Sequence, residues 1–136
     1  MADAQEHGVN LTVELPWPSP KLHPNARVHW AVKSKEAKKA RKTAWYLTRQ
    51  CEGRNLRIFD GTRRVPVALI FHPPDRRKRD LDGMLSASKS SLDGLADALM
   101  VNDNLFDLRL SVSEPVKGGK VVVTVFESPT FTGGER

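Results

Sequence analysis

Apolar and polar positions alternate along Leu11-Thr-Val-Glu-Leu15, the period of a half-buried strand, and Pro16, Pro18 and Pro20 end it in a stiff extended segment carrying Trp17. Residues His23 to Trp30 read as a loop leading into a helix. From Ser34 to Cys51 the positions Ala37, Ala40, Ala44, Leu47 and Cys51 recur at three and four, one helical face. Lys38, Lys42, Trp45 and Arg49 repeat that spacing on another face. The small residues let this helix sit close to a sheet, and the basic stripe is left to solvent. Glu52 to Arg64 is polar and reads as a loop. Val65 to Phe71 is an apolar run suited to a central strand, with Pro66 restricting its start and Pro73-Pro74 stopping it. Helical periodicity at Leu85, Ser88, Leu92, Leu95 and Leu99 predicts one helix from Asp82 to Leu99. A turn at Met100–Asn104, a strand over Leu105–Ser113, a hairpin turn at Gly118-Gly119 and a last strand over Val121–Phe126 complete the pattern.

The order strand, helix, strand, helix, strand, strand makes the class α+β: a small mixed sheet of about four strands covered by two main helices. No internal repeat interrupts it. A single domain over residues 11–127 is expected, with flexible segments at 1–10 and 128–136. The 136 residues, 39% of them hydrophobic, suit one core. No apolar run approaches the roughly 18 to 20 residues of a membrane span, so no membrane partner is expected. Met1 to Asn10 lacks a basic stretch followed by an apolar one, and so predicts no secretory signal. The lone Cys51 forms no internal disulfide and no cysteine-based zinc site, which fits a reducing, cytoplasmic setting. Trp17, Trp30 and Trp45 either pack in the core or stack on unpaired bases, and packing is the plainer expectation.

Charge changes the picture more than composition does. The formal net charge is +6, but residues 1–20 carry −3, residues 21–79 carry +13 and residues 80–136 carry −4. A middle segment this basic suggests a polyanion, because cations near phosphates release counterions and raise affinity without reading sequence. The plainer reading is a solvated helix face.

The switch of sign falls inside Pro73-Pro-Asp-Arg-Arg-Lys-Arg-Asp-Leu-Asp82. In an extended backbone, residues two apart point the same way about 6.5 to 7 Å apart, so Asp80 and Asp82 aim two carboxylates at one point. Two hard oxygen donors suit Mg²⁺, which takes one or two carboxylates, keeps waters and completes its shell with phosphate. Arg76, Arg77, Lys78 and Arg79 lead directly into that pair. A metal beside a phosphate-binding strip is what phosphodiester hydrolysis requires. The plainer alternative is helix capping by Asp82. Further along, Asp82, Ser86, Lys89 and Asp93 fall on one face of the expected helix, so Lys89 can reach a phosphate oxygen; a surface pair with Asp93 is the alternative. Asp103, in the Asn102-Asp-Asn104 turn, can return a third carboxylate. Ser86-Ala-Ser-Lys89 lacks the companion motifs of serine acyl enzymes, and Gly118-Gly119-Lys120 precedes a strand, not the helix of a phosphate loop. His7, His23, His29 and His72 show no ligand spacing.

Together, Leu15-Pro-Trp-Pro18, Pro74-Asp-Arg-Arg-Lys-Arg-Asp-Leu-Asp82, Lys89-Ser-Ser-Leu-Asp-Gly-Leu95, Val101-Asn-Asp103 and Val116-Lys-Gly-Gly-Lys120 resemble the RusA-type Holliday junction resolvases, common in bacterial prophages. The likeness runs in order from about Leu11 to Glu127. It implies a small homodimeric endodeoxyribonuclease of DNA recombination and repair, dependent on Mg²⁺ with Mn²⁺ as substitute, cutting branched four-way DNA without a small-molecule cofactor. It carries the acidic cluster onto Asp80, Asp82 and Asp103 and the functional lysine onto Lys89. Gly83 stands where the family often has asparagine, and Asn104 where an acidic pair is more usual. Arg76, Arg77, Lys78 and Arg79, with Lys38, Lys42 and Arg49, are expected to grip DNA. A non-catalytic DNA- or RNA-binding module using the same cations is the alternative.

Overall fold

Alternation in the first strand becomes burial. In the computed structural model, which describes residues 8–51, 59 and 61–127, strand β1 (Val9–Pro16) buries Leu11, Val13 and Leu15 and exposes Thr12, Glu14 and Pro16. It begins two residues inside the segment expected to be flexible. Residues 1–7 and 128–136, and 52–58 and 60 of the expected loop, lie outside the described residues.

The apolar run forms β2 (Val65–His72), with Val65, Val67, Leu69 and Phe71 at most 1% exposed. A strand so apolar must have neighbours on both sides. It pairs antiparallel with β4 (Lys120–Phe126), placing Leu69 opposite Val123, and parallel with β3 (Phe106–Val112), placing Val67 opposite Leu108. β4 also pairs antiparallel with β1, so the strand order is β1-β4-β2-β3. Pro66 lies before the register with β4 starts at Val67, where its missing N–H costs no bond on that side.

This order corrects the hairpin expected at Gly118-Gly119: β3 and β4 are not neighbours. Both glycines do have positive φ, 80° and 73°, so the chain turns there, but it crosses the end of β2 to insert β4 between β1 and β2. The reason is in the side chains. β4 carries Val121, Val123 and Val125, all buried, whereas β3 exposes Asp107, Arg109 and Ser111 and tolerates an edge.

Helix α1 (Trp30–Gln50) starts four residues before the expected Ser34. His29 caps it, its Nδ1 accepting the Ala31 N–H at 3.0 Å, a role rarely given to histidine. The small-residue face turns inward, with Ala44 1% exposed, and Lys38, Lys42, Trp45 and Arg49 face out as expected. Trp45 and Trp30, 42% and 75% exposed, are therefore not core residues; only Trp17 is packed, edge-on to Phe71.

The single helix expected from Asp82 is two: α2 (Leu81–Ala87) and α3 (Lys89–Leu99). Ser88 separates them at φ −95°, ψ 0°, its buried Oγ donating to the Met84 carbonyl at 3.0 Å. Asp82 and Lys89 therefore do not share one continuous helical face. Together α2 and α3 form the crossover that a parallel β2–β3 pair demands. α3 packs on α1 where Gly94 meets Arg41 and Ala44: a Cβ on Gly94 would overlap the Arg41 carbonyl oxygen and lie 3.0 Å from the Ala44 Cβ. Arg41 locks the crossing with two bonds to Asp97, at 2.7 and 2.9 Å. Among the described residues no helix is long and apolar enough to cross a membrane.

Candidate functional site

The cations of the Arg76–Arg79 run meet one carboxylate before they reach the proposed pair. Asp75 Oδ1 accepts the Arg77 N–H at 2.9 Å and faces Arg79 Nη1 at 2.9 Å, while Asp75 Oδ2 accepts Arg77 Nη2 at 3.2 Å. The Arg79 hydrogen bond, followed by the Arg77 backbone N–H, holds the Asp75 carboxyl down at about 2. Arg79 is committed further: its Nη1 donates to the carbonyls of Asp75 and Arg77, and its guanidinium lies over the Trp17 ring, 5.7 Å from the centroid. It is 19% exposed and builds the loop; it is not the free phosphate grip expected of it. Arg77 keeps 75% exposure, Arg76 makes a long 3.6 Å contact with Glu114, and Lys78 makes no ion pair among the described residues.

That arrangement leaves Asp80 and Asp82 free. Both are exposed, and neither carboxylate has a hydrogen bond or ion pair among the described residues. Asp80 precedes α2 with an extended backbone, φ −92° and ψ 129°, but its side chain makes no capping bond. Asp82 lies within the first helical turn, so the expected geometry of two residues on one extended strand applies to Asp80 alone. The capping alternative is not realised by either carboxylate.

Asp103 does not join them within one chain. β2 is about 23 Å long at ~3.3 Å per residue. Asp80 shares a cavity wall with Trp17, next to the Pro16–Lys120–His72 end of the sheet. Asp103 opens the short 3-10 turn (Asp103–Leu105) that enters β3 at Phe106, opposite Val65 at the other end. There its carboxyl lies beside that of Asp93, which is raised from the ordinary carboxylate range by burial first and by the neighbouring Asp103 carboxyl second. Asp97, one turn on, is held low by its hydrogen bonds from Arg41. Among the described residues no three His, Cys, Asp or Glu side chains converge on one point. The donor chemistry still fits a hard cation, as two carboxylates at each end of the sheet with water and phosphate completing the shell.

Lys89 opens α3, exposed and without an ion pair among the described residues; its expected alternative partner, Asp93, is turned to Asp103 instead. Lys38, Lys42 and Arg49 likewise make no ion pair there, and form an exposed basic face on α1.

No protein-family model matches the chain. An uncharacterized protein of Xylella fastidiosa (strain Temecula1 / ATCC 700964) is 39% identical over 116 residues, covering 84% of this chain and 74% of that protein. The chain belongs to its family. Membership at this identity carries the backbone fold across both proteins and leaves the family's chemistry to be argued from side chains.

In this member, sequence reasoning missed Asp93 as a partner of Asp103 and Asp75 as the acid that occupies the arginines. Asp93 stands within Lys89-Ser-Ser-Leu-Asp-Gly-Leu95, so its place was visible while its partner was not. Asp75 was visible too, one residue before the cations, the spacing at which an aspartate binds the N–H two residues on.

Proposed function

We propose that this protein is a Mg²⁺-dependent endodeoxyribonuclease that resolves four-way DNA junctions as a homodimer, with Mn²⁺ able to substitute. One observation carries the reading: Asp80 and Asp82 stand exposed and unpaired directly after four consecutive cations. Carboxylates with a purely structural role beside so many cations would be occupied by them, as Asp75 is. The resemblance of the motifs to RusA-type resolvases supports the same conclusion.

Asp80 and Asp82 would hold the ion, which supplies a more acidic bound water and offsets charge on the phosphorus oxygens. Lys89 steadies phosphate charge as a mobile point charge. Arg76, Arg77 and Lys78, with the α1 face of Lys38, Lys42 and Arg49, hold the backbone of the DNA arms. Asp103, paired with Asp93 at the far end of the sheet, enters this site only through a second copy. In a two-fold dimer the Asp103 end of one protomer can meet the Asp80 end of the other. Junction resolution asks for such a dimer independently, because one site cuts one strand and a symmetric substrate needs two symmetric cuts.

The test is cleavage of a synthetic four-way junction with and without Mg²⁺. Wild type is expected to make paired cuts only with the ion, and Asp82→Asn to bind the junction without cutting it. Wild type that binds but never cuts in Mg²⁺ or Mn²⁺ removes the nuclease reading. That result would favour a non-catalytic nucleic-acid-binding module, for which the lack of three converging acids among the described residues speaks.

A further inference from the structure

Beside Asp80 opens a cavity of about 550 Å³, within the size range of small-ligand sites. Its apolar wall comes from three separate segments: Trp17, Pro18 and Pro20 after β1, Pro74 after β2, and Met84 on α2. The β3–β4 crossing holds the wall in place. A Cβ on Gly119 would sit 3.0 Å from both Pro74 and Trp17, so the turn presses on the two from behind. Trp17 is fixed edge-on by Phe71, with ring centroids 6.1 Å apart at 82°, and the planar Arg79 guanidinium lies over its ring. The guanidinium covers one face of the indole, so the wall carries a preformed indole–guanidinium stack.

Cations and donors outnumber acceptors among the polar groups of this cavity, whose rim also carries Ser19 and the Asp80 carboxylate. Arg77 and Lys78 line it, both exposed, Lys78 without an ion pair among the described residues. His23 sits over the floor: its Nε2 lies 2.8 Å from where a Cβ on Gly83 would be. His23 Nδ1 accepts the Asn25 N–H at 3.1 Å, so the neutral ring carries its proton on Nε2 and presents a donor. Glycine at position 83 is what leaves room for this imidazole.

A flat apolar wall, a nearby N–H donor and cations at the mouth match one ligand chemistry: a nucleobase still attached to its phosphate. Bases stack on aromatic rings and on arginine planes, and the cations take the flanking phosphates. Free apolar ligands have no use for the cations, and acidic peptides have no use for the stacking wall. We infer that this cavity receives an unpaired nucleobase of the bound DNA, from a nucleotide adjoining the phosphate presented to Asp80 and Asp82, with the Arg79 guanidinium held on Trp17 as the stacking platform. This rests on the nucleic-acid reading above and adds to it a base-binding subsite that positions the strand.

The probes are a mixed-sequence single-stranded 12-mer and a 12-mer of the same backbone whose sugars carry no bases, titrated by fluorescence anisotropy in EDTA so that nothing is cut. Wild type is expected to bind the base-bearing strand about 5- to 150-fold more tightly, the range that alanine substitution of a stacking aromatic gives. Trp17→Ala should erase that preference and Trp17→Phe should keep most of it. The wild-type comparison needs no variant to fold, and the phenylalanine variant retains the ring against Phe71. Equal binding of the two strands by wild type overturns the inference. So does a base preference that survives in Trp17→Ala, since the bases would then lie elsewhere, or failure of wild type to bind either strand. Base preference without junction cleavage in Mg²⁺ leaves the subsite and removes the nuclease; cleavage without base preference does the reverse.

Discussion

Asp75 decides which of its neighbours are free. By accepting Arg77 and Arg79 it leaves Asp80 and Asp82 without cations, and its own carboxyl is held down at about 2. Its folded pKa is depressed, so its contribution to stability is present above the unfolded value near 3.8 and is lost as pH falls toward 2. Asp75→Asn should flatten that acid limb in a denaturation series. It should also release Arg77 toward DNA, raising junction affinity and steepening the slope of log K against log salt by about 0.9 for an added phosphate contact. Asp93 has the opposite sign. Burial and the Asp103 carboxyl raise it, so its charged form destabilises the fold at neutral pH, and the penalty disappears as pH falls through the raised folded pKa. Asp93→Asn is expected to raise the denaturation midpoint at pH 7 and to lose that advantage in acid. An unchanged midpoint at pH 7 would mean that the pair carries no such strain.

At the scale of elements, the α1–α3 crossing is the most sensitive contact. Alanine at Gly94 would gain about 1 kcal/mol of helix propensity in isolation. Here its Cβ meets the backbone of Arg41, which has no rotamer to move, so overpacking of about 1–3 kcal/mol prevails. Gly94→Ala should lower stability to urea, and an equal or higher midpoint would show that the helices can separate without cost. The periodicity of Leu92, Leu95 and Leu99 announced this helix, and the alternation in β1 and the apolar run of β2 announced their strands. The break at Ser88 was hidden: no glycine or proline marks it and the apolar spacing continues through it. Its cause is a serine hydroxyl returned to the Met84 carbonyl, a bond that any serine offers and few convert into an interruption.

For the whole molecule, the net charge of +6 resolves into a basic α1 face and a basic loop around a mixed acidic and cationic edge. The two carboxylate pairs occupy opposite ends of the sheet, so under the proposed function one copy offers an incomplete set and a second copy would supply the rest. Light scattering should give twice the 15.2 kDa chain mass. Mixing Asp82→Asn chains with Asp103→Asn chains should restore cutting of one strand of the junction, because one of the two shared sites in the mixed dimer then holds only wild-type acids. If the mixture stays as inactive as each variant alone, both acids act within a single protomer.

Local rules determined a good deal from the sequence by itself. Period two and period 3.6 are properties of consecutive residues, and they sufficed for the strands, the basic face of α1 and the α+β class. The change of charge sign between Arg79 and Asp80 is equally local, and it marked where chemistry was to be sought. Only the tertiary structure decided who neighbours whom. It placed β4 inside the sheet, where Val121, Val123 and Val125 are buried, and so turned an expected hairpin into a crossing that braces Trp17. It put Asp103 beside Asp93, a full strand length from Asp80, because a parallel β2–β3 pair must begin β3 at the end where β2 begins. It assigned Arg79 to Asp75 and Trp17, and with that one commitment left two carboxylates free beside a cavity. Pairings between residues far apart in the chain follow from burial and sheet order, which no short window of sequence contains.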